Sequence, residues 1–116
     1  MKTLQEAQEI LKKHYTAQQK VVNESGVKME MLWVSRKYAH SQDVFKISQY
    51  LIENDEVLKK FDDKYKLYGQ ISALLHDIGR AYEVGDMKEK VKPHGHYGAD
   101  IILKQVEKEN NPFILI

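Results

Sequence analysis

Apolar residues recur at intervals of three and four along most of this chain, and this spacing constrains the fold more than any other feature. An α-helix has about 3.6 residues per turn, so residues at these intervals lie on one helical face. The sequence has no Asn-Gly or Asp-Gly turn between alternating strand patterns, and it has no convincing internal repeat or low-complexity tract. It therefore predicts an all-α fold of about five helices.

The breaks between the apolar stripes predict where the helices begin and end. Thr3 followed by Glu6 is a capping-box pattern that opens a first helix. Residues 23–26 and Pro112 interrupt the helical pattern. The helices are predicted at about 3–23, 29–54 (as one helix or as two), 56–61, 63–78 and 95–109. We expect a single domain over 1–116, with an N-terminal helix at 1–23 and a functional core at 29–109.

Composition excludes several classes of protein. The 116 residues include 18 basic and 17 acidic side chains, and a net charge of +1 indicates neither a nucleic-acid groove nor an anionic membrane surface. The chain has no cysteine, which rules out disulfides, thiolate zinc sites and a cysteine nucleophile. No stretch approaches the roughly 18 apolar residues of a membrane span. The expectation is a cytoplasmic protein without a membrane partner.

One stripe in the second predicted helix includes a histidine. Arg36, His40, Val44, Ile47 and Leu51 follow one another at steps of four, four, three and four. Since the three aliphatic residues should point inward, His40 is predicted to face the core. Taken alone, such a histidine is more typical of a hydrogen-bonded core residue than of a metal ligand.

A second histidine lies beside an aspartate near the predicted end of the fourth helix. Gly79 suits the left-handed position that closes a helix, which places His76 and Asp77 in the last turn. A carboxylate is unfavourable at a helix C-terminus, so Asp77 indicates a function. Imidazole and carboxylate groups bind divalent transition metals while leaving positions open for water and phosphate oxygens. Together with His40, this pair could form a metal site.

The order of these motifs resembles the HD-domain superfamily of metal-dependent phosphohydrolases, and specifically its His-Asp-Ile-Gly subgroup. The resemblance is carried by His40 followed by residues 73–79, Ala-Leu-Leu-His-Asp-Ile-Gly. Residues 36–41 are similar to the helix of the family's first histidine, and residues 94–99 to the start of its downstream helix. The similarity covers roughly residues 30–107.

This resemblance implies a set of ligands and an activity. His40, His76 and Asp77 would bind the first metal, and His94 would bind a second metal or a phosphate. His76 and Asp77 would be catalytic, with a metal-activated water attacking a nucleotide or other small phosphate ester. The metal could be Mn, Fe, Zn, Co, Ni or Mg. The alternatives are a catalytically degenerate regulatory module that binds metal or nucleotide, and a purely structural helical interaction domain.

Basic side chains near these motifs are candidates for holding the substrate phosphate. Arg36 lies one turn before His40 on the same predicted face and is the preferred candidate. Arg80 follows the His-Asp pair, and Lys92 lies with Lys88 and Lys90 in a polar segment that is predicted to be a loop beside the site.

One metal ligand of the family has no counterpart in the sequence given. In the family, an aspartate on a later helix usually completes the first metal site, and the sequence given ends at Ile116 without a counterpart. Either the chain is a shortened form, or Asp100, Asp86 or a partner subunit in a homo-oligomer substitutes, or the domain has lost catalysis. The expectation is a shortened chain. His96 is a second choice beside His94.

Overall fold

The computed structural model describes residues 3–83 and 94–109, with the side chains of 94–97 and 106–109 left out. This part of the chain contains helices and no strand, so the predicted all-α class is confirmed. The α-helices are α1 (Leu4–Ser25), α2 (Lys28–Asn54), α3 (Asp63–Leu75) and α4 (His94–Glu109). Two 3-10 turns, Leu58–Lys60 and Ile78–Tyr82, follow α2 and α3.

The first helix has the predicted start and a left-handed glycine at its end. The Thr3 hydroxyl accepts a hydrogen bond from the Glu6 backbone N–H at 3.1 Å, as the capping pattern predicts. Gly26 ends α1 with a φ of 75°, and its N–H donates to the Val22 carbonyl. The buried residues of α1 follow the helical spacing and form its contact face with α2 and α3: Ala7, Leu11, Tyr15, Gln18 and Val22.

The second helix is continuous over 27 residues, and its buried face differs from the predicted one. Val34, Ser41 and Phe45 point into the core, whereas Ile47 is 59% and Leu51 46% exposed. The prediction that His40 faces the core is therefore wrong. The buried stripe is offset from the predicted stripe by one residue, or about 100° around the helix, and α2 has apolar side chains on both stripes.

The core lies where α1, α2 and α3 pack against one another. From α3 it receives Ile71, Leu74 and Leu75, and from the turn after α3 it receives Ile78 and Ala81. Full burial of a leucine or isoleucine contributes about 1.5–3 kcal/mol, so these contacts strongly stabilise the packing of this segment against the helices around it.

None of the helices in residues 3–83 and 94–109 is long and apolar enough to cross a membrane.

The turn at 78–82 also supports α4. Gly98 is buried there, and a Cβ atom at that position would lie 3.6 Å from both the Gly79 nitrogen and the Ile78 Cγ2 atom. Gly98 therefore faces this turn closely. The turn that follows the His-Asp pair is packed from two sides, by the three-helix core and by α4.

The end of α3 corrects another prediction. The helix stops at Leu75, and Gly79 lies buried inside the 3-10 turn, while Gly26 is the described glycine with a positive φ. His76 and Asp77 therefore lie between two helical segments instead of in a last turn. The predicted loop beyond residue 83, including Lys88, Lys90 and Lys92, falls outside the described residues.

Candidate metal centre

A break in the backbone lets adjacent side chains face the same space. His76 keeps helical angles, φ −56° and ψ −32°, whereas Asp77 departs from them with φ −114° and ψ 21°. Neighbouring residues within a helix would diverge by about 100°. The non-helical Asp77 backbone removes this restriction, and the Arg80 N–H holds the new direction by donating to the Asp77 carbonyl at 2.9 Å.

Three ligand atoms converge at this junction. The Asp77 Oδ2 atom lies 3.0 Å from His76 Nε2 and 3.5 Å from His40 Nε2. One ligand atom from each of the three residues lies within 4.8 Å of the other two. The two imidazole rings meet edge to face, with their centroids 5.8 Å apart. Two residues that are 36 positions apart in sequence are thus brought to one carboxylate, as the resemblance implies.

The hydrogen bonding of His76 determines which ring nitrogen faces the carboxylate as a ligand atom. Nδ1 lies 2.7 Å from the Ala73 carbonyl, which can only accept, so Nδ1 carries the proton. In the neutral ring, Nε2 then presents its lone pair toward Asp77 Oδ2, which is also electron-rich. The contact between Nε2 and Oδ2 is favourable only with a proton or a metal ion between the two atoms. A backbone partner on the second ring nitrogen, here Nδ1, is typical of metal-binding histidines.

The distances fit a small divalent cation. Bonds from zinc to imidazole and carboxylate are about 2.0–2.2 Å, so ligand atoms around a tetrahedral ion lie roughly 3.4 Å apart. The two contacts to Asp77 Oδ2, 3.0 and 3.5 Å, lie on either side of this separation, and all three ligand atoms lie within 4.8 Å of one another. The residues present therefore fit a metal of the type that nitrogen and oxygen ligands bind.

The centre is open to solvent on one side. The His40 side chain is 50% exposed and that of His76 is 38% exposed, whereas the Asp77 side chain is 15% exposed. The carboxylate thus lies at the floor and the imidazoles form the rim. A soluble ligand can reach the converging atoms without a rearrangement of the core.

Residues from α1 and α2 hold the backbone beneath this centre. The buried Tyr15 hydroxyl donates to the Asp77 carbonyl at 3.2 Å. Trp33 Nε1 donates to the Arg80 carbonyl at 3.4 Å. Burial raises the pKa of Tyr15 well above its usual range, so its phenol is a permanent donor at physiological pH. The turn is therefore attached to both helices by its main chain.

The two predicted phosphate-binding arginines differ in their surroundings. Arg36 is exposed on α2, one helical turn before His40. Arg80 is partly buried, and its Nη1 atom forms an ion pair with Glu83 at 3.2 Å. Arg36 is thus exposed on the helix that carries His40, while the Arg80 guanidinium already has an acidic partner. Lys92, the third candidate, lies outside the described residues.

The remaining predicted ligands are only partly described. Asp100 is exposed on α4 and does not belong to the group of three converging side chains. His94 begins α4, and His96 follows in its first turn, but the described side chains do not include theirs. Asp86 also falls outside the described residues.

Sequence reasoning missed the support provided by Tyr15 and Trp33. Tyr15 occupies a core position in the α1 stripe between Leu11 and Gln18, so its spacing indicated only packing. A buried tyrosine hydroxyl needs a hydrogen-bond partner, and this requirement was the available signal. The identity of that partner, Asp77, depends on the packing of α1 against the 78–82 turn.

Comparison with known proteins does not add to this geometry. No family model matches the chain, and neither does any curated protein or any solved structure.

Proposed function

We propose that this protein is a metal-dependent phosphohydrolase of the HD-domain type, acting on a nucleotide or another small phosphate ester. The observation that carries the proposal is the convergence of His40, His76 and Asp77, with the His76 proton fixed on Nδ1. These are the three residues to which the motif resemblance assigns the first metal. The spacing along the sequence and the distances in space thus support the same ligand set.

The proposed roles follow from the chemistry of each side chain. His40 and His76 would bind the cation as neutral imidazoles, and Asp77 would supply an anionic oxygen. A divalent ion held there, whether Mn, Fe, Zn, Co, Ni or Mg, supplies Lewis acidity toward water and the phosphoryl group. The Asp77 carboxylate orients the attacking water and accepts its proton. As the water oxygen bonds to phosphorus, the P–O ester bond breaks, and the alcohol would leave with the proton that Asp77 took from the water.

Other residues would bind the phosphate. Arg36 is exposed one turn from His40 and can pair with phosphate oxygens in a bidentate manner. His94 would add a second metal ligand or a phosphate contact, and Lys92 a further positive charge. Arg80 is the weaker phosphate ligand, since its guanidinium is paired with Glu83.

A regulatory module that binds metal or nucleotide without turnover is the second candidate. It is favoured by the composition of the centre, since the described part of the chain brings two imidazoles and one carboxylate together without a second carboxylate. This function needs the same ligands. The two candidates therefore differ in turnover and not in metal binding.

The experiment compares wild-type protein with Asp77→Asn and with Glu53→Gln as a matched control. Glu53 is exposed near the end of α2, about 20 Å along the helix from His40. Each protein is loaded with Mn²⁺, Zn²⁺, Co²⁺ or Mg²⁺ and assayed for phosphate release from nucleoside phosphates and p-nitrophenyl phosphate. We expect activity in wild type and Glu53→Gln and its loss in Asp77→Asn. Metal binding without turnover would support the regulatory module, and activity retained in Asp77→Asn would contradict the proposed mechanism.

A further inference from the structure

We propose that Tyr15 is a positioning residue of the metal centre, which holds the Asp77 main chain so that the carboxylate faces His40 and His76. This inference rests on the proposed function, because it assigns Tyr15 a role in the affinity of the same site. Tyr15 belongs to α1, which contributes no ligand to the converging group. The inference therefore extends the centre to a helix outside the three-ligand motif.

The contact between Tyr15 and Asp77 is direct and shielded from water. Tyr15 is only 3% exposed, and its hydroxyl donates to the Asp77 carbonyl at 3.2 Å. The same carbonyl accepts from the Arg80 N–H at 2.9 Å. A carbonyl oxygen has two lone pairs, and two donors from different directions fix the plane of its peptide group.

The plane of this peptide group determines where the carboxylate points. Asp77 has the non-helical angles that allow its side chain to face His76, and its carboxylate is separated from the main chain by only two bonds. A small rotation about the backbone would therefore move Oδ2 relative to both imidazoles. Ligand constellations require placement within about 0.5 Å and 10–20°, which is the tolerance that such supporting hydrogen bonds maintain.

Tyr15 also contacts the helix that carries the other histidine. Its ring packs edge to face against Tyr38, with the centroids 5.5 Å apart. Ser41, the neighbour of His40, is completely buried, and it lies close enough to the Tyr15 phenol to lower the pKa of that group against the larger raising effect of burial. The Tyr15 side chain thus contacts both the Asp77 main chain and the α2 segment that carries His40. It can therefore hold these two segments in a fixed relative position.

The test compares Tyr15→Phe with Tyr38→Phe. Both variants remove one phenolic hydroxyl and keep the pair of packed rings, but only Tyr15 donates to Asp77. Mn²⁺ affinity is measured by calorimetry on protein whose folding is verified by circular dichroism and thermal unfolding. Loss of a group that supports a ligand typically lowers metal affinity about 10–100-fold. We expect this loss in Tyr15→Phe and less than about a twofold change in Tyr38→Phe; equal affinities in the two variants would overturn the inference.

A variant cycle separates positioning from general stability. In an Asp77→Asn background, the carboxylate that Tyr15 positions is absent, so adding Tyr15→Phe should cause no further loss of the residual affinity. An equal loss of affinity in both backgrounds would indicate a purely structural tyrosine and contradict the inference.

If Tyr15→Phe does not fold, Ser41→Ala removes the hydroxyl beside the Tyr15 phenol instead. We expect a smaller drop in metal affinity, and wild-type affinity would overturn the inference.

This test is distinct from that of the proposed function. Metal binding without phosphate release would contradict the hydrolase and leave the affinity comparison intact. If wild type binds no metal, the comparison is made on metal-free protein, through hydrogen exchange of the Arg80 amide and NMR signals of the His40 and His76 rings. Tyr15→Phe should accelerate that exchange and shift both rings, unlike Tyr38→Phe; unchanged spectra would overturn the inference.

Discussion

The three histidines whose side chains are described occupy two contrasting regions, one at each end of the 78–82 turn. His14 lies partly buried on α1, with Nδ1 hydrogen-bonded to the Tyr82 hydroxyl and the two rings edge to face. His40 and His76 lie at an open rim, and a ring nitrogen of each is directed at the Asp77 carboxylate. In the first region the partner is a neutral hydroxyl, and in the second it is an anion.

The difference shows what separates a structural histidine from a candidate ligand. Burial, and secondly the charge of Lys13, lower the pKa of His14, so His14 remains neutral and bonded to Tyr82 at pH 7. The rim histidines are accessible, and the hydrogen bond of His76 to Ala73 leaves Nε2 as the ring nitrogen that faces the carboxylate. Accessibility, tautomer and an anionic neighbour together distinguish the candidate metal centre from His14.

The largest expected effect concerns metal affinity. His76→Ala removes a ligand and should weaken Mn²⁺ or Zn²⁺ binding more than about 100-fold, beyond the loss typical of supporting groups. His14→Asn keeps a neutral polar group on α1 and should change affinity less than about twofold, because distant sites behave independently. Calorimetric titration of both variants checks the contrast. Similar losses in the two would mean that the regions do not differ as described.

Folding stability should show the opposite ranking, with a larger effect at His14 than at the rim histidines. His14→Ala removes a partner of the half-buried Tyr82 hydroxyl and should lower the free energy of unfolding by about 1–2 kcal/mol. His40→Ala removes a half-exposed side chain and should change it by less than about 0.5 kcal/mol without metal. Urea unfolding at pH 8 with a chelator measures both values. A larger destabilisation by His40→Ala would indicate that His40 is the structural residue.

The smallest expected effect is a pH dependence of stability. Since the folded-state pKa of His14 is below the usual 6.5, its contribution to stability is fully present above pH 6.5. The contribution is lost as the pH falls from 6.5 through the lowered value, because the unfolded chain binds the proton first. The difference in unfolding free energy between wild type and His14→Asn, measured from pH 8 to 5, should shrink in that interval. A constant difference would show that His14 does not titrate abnormally.

The sequence was sufficient for the fold class and for the identity of the three converging residues. The cap at Thr3 depends on local hydrogen bonds, which are readable from short patterns. Pairing of His40 with His76 and Asp77 came from the motif resemblance, and the distances agree with it. Apolar spacing alone assigned His40 to the wrong face of α2.

The remaining features depend on long-range packing. Which of two neighbouring stripes on α2 is buried was decided by α1 and α3, whose contacts cannot be read from the spacing within α2. The glycine at position 79 was predicted to end a helix, yet its segment packs against Gly98 of α4. Tyr15 and Asp77 are 62 positions apart, so their hydrogen bond depends on the tertiary arrangement.

A zinc titration followed through the histidine ring nitrogens by NMR tests the central claim most directly. One equivalent of Zn²⁺ should shift the Nε2 signals of His40 and His76 together, leave Nδ1 of His76 protonated, and leave the His14 ring unchanged. This result would show that the ligands proposed from the geometry bind one ion. Saturation without any change at His40 and His76, or an equal shift at His14, would contradict the account.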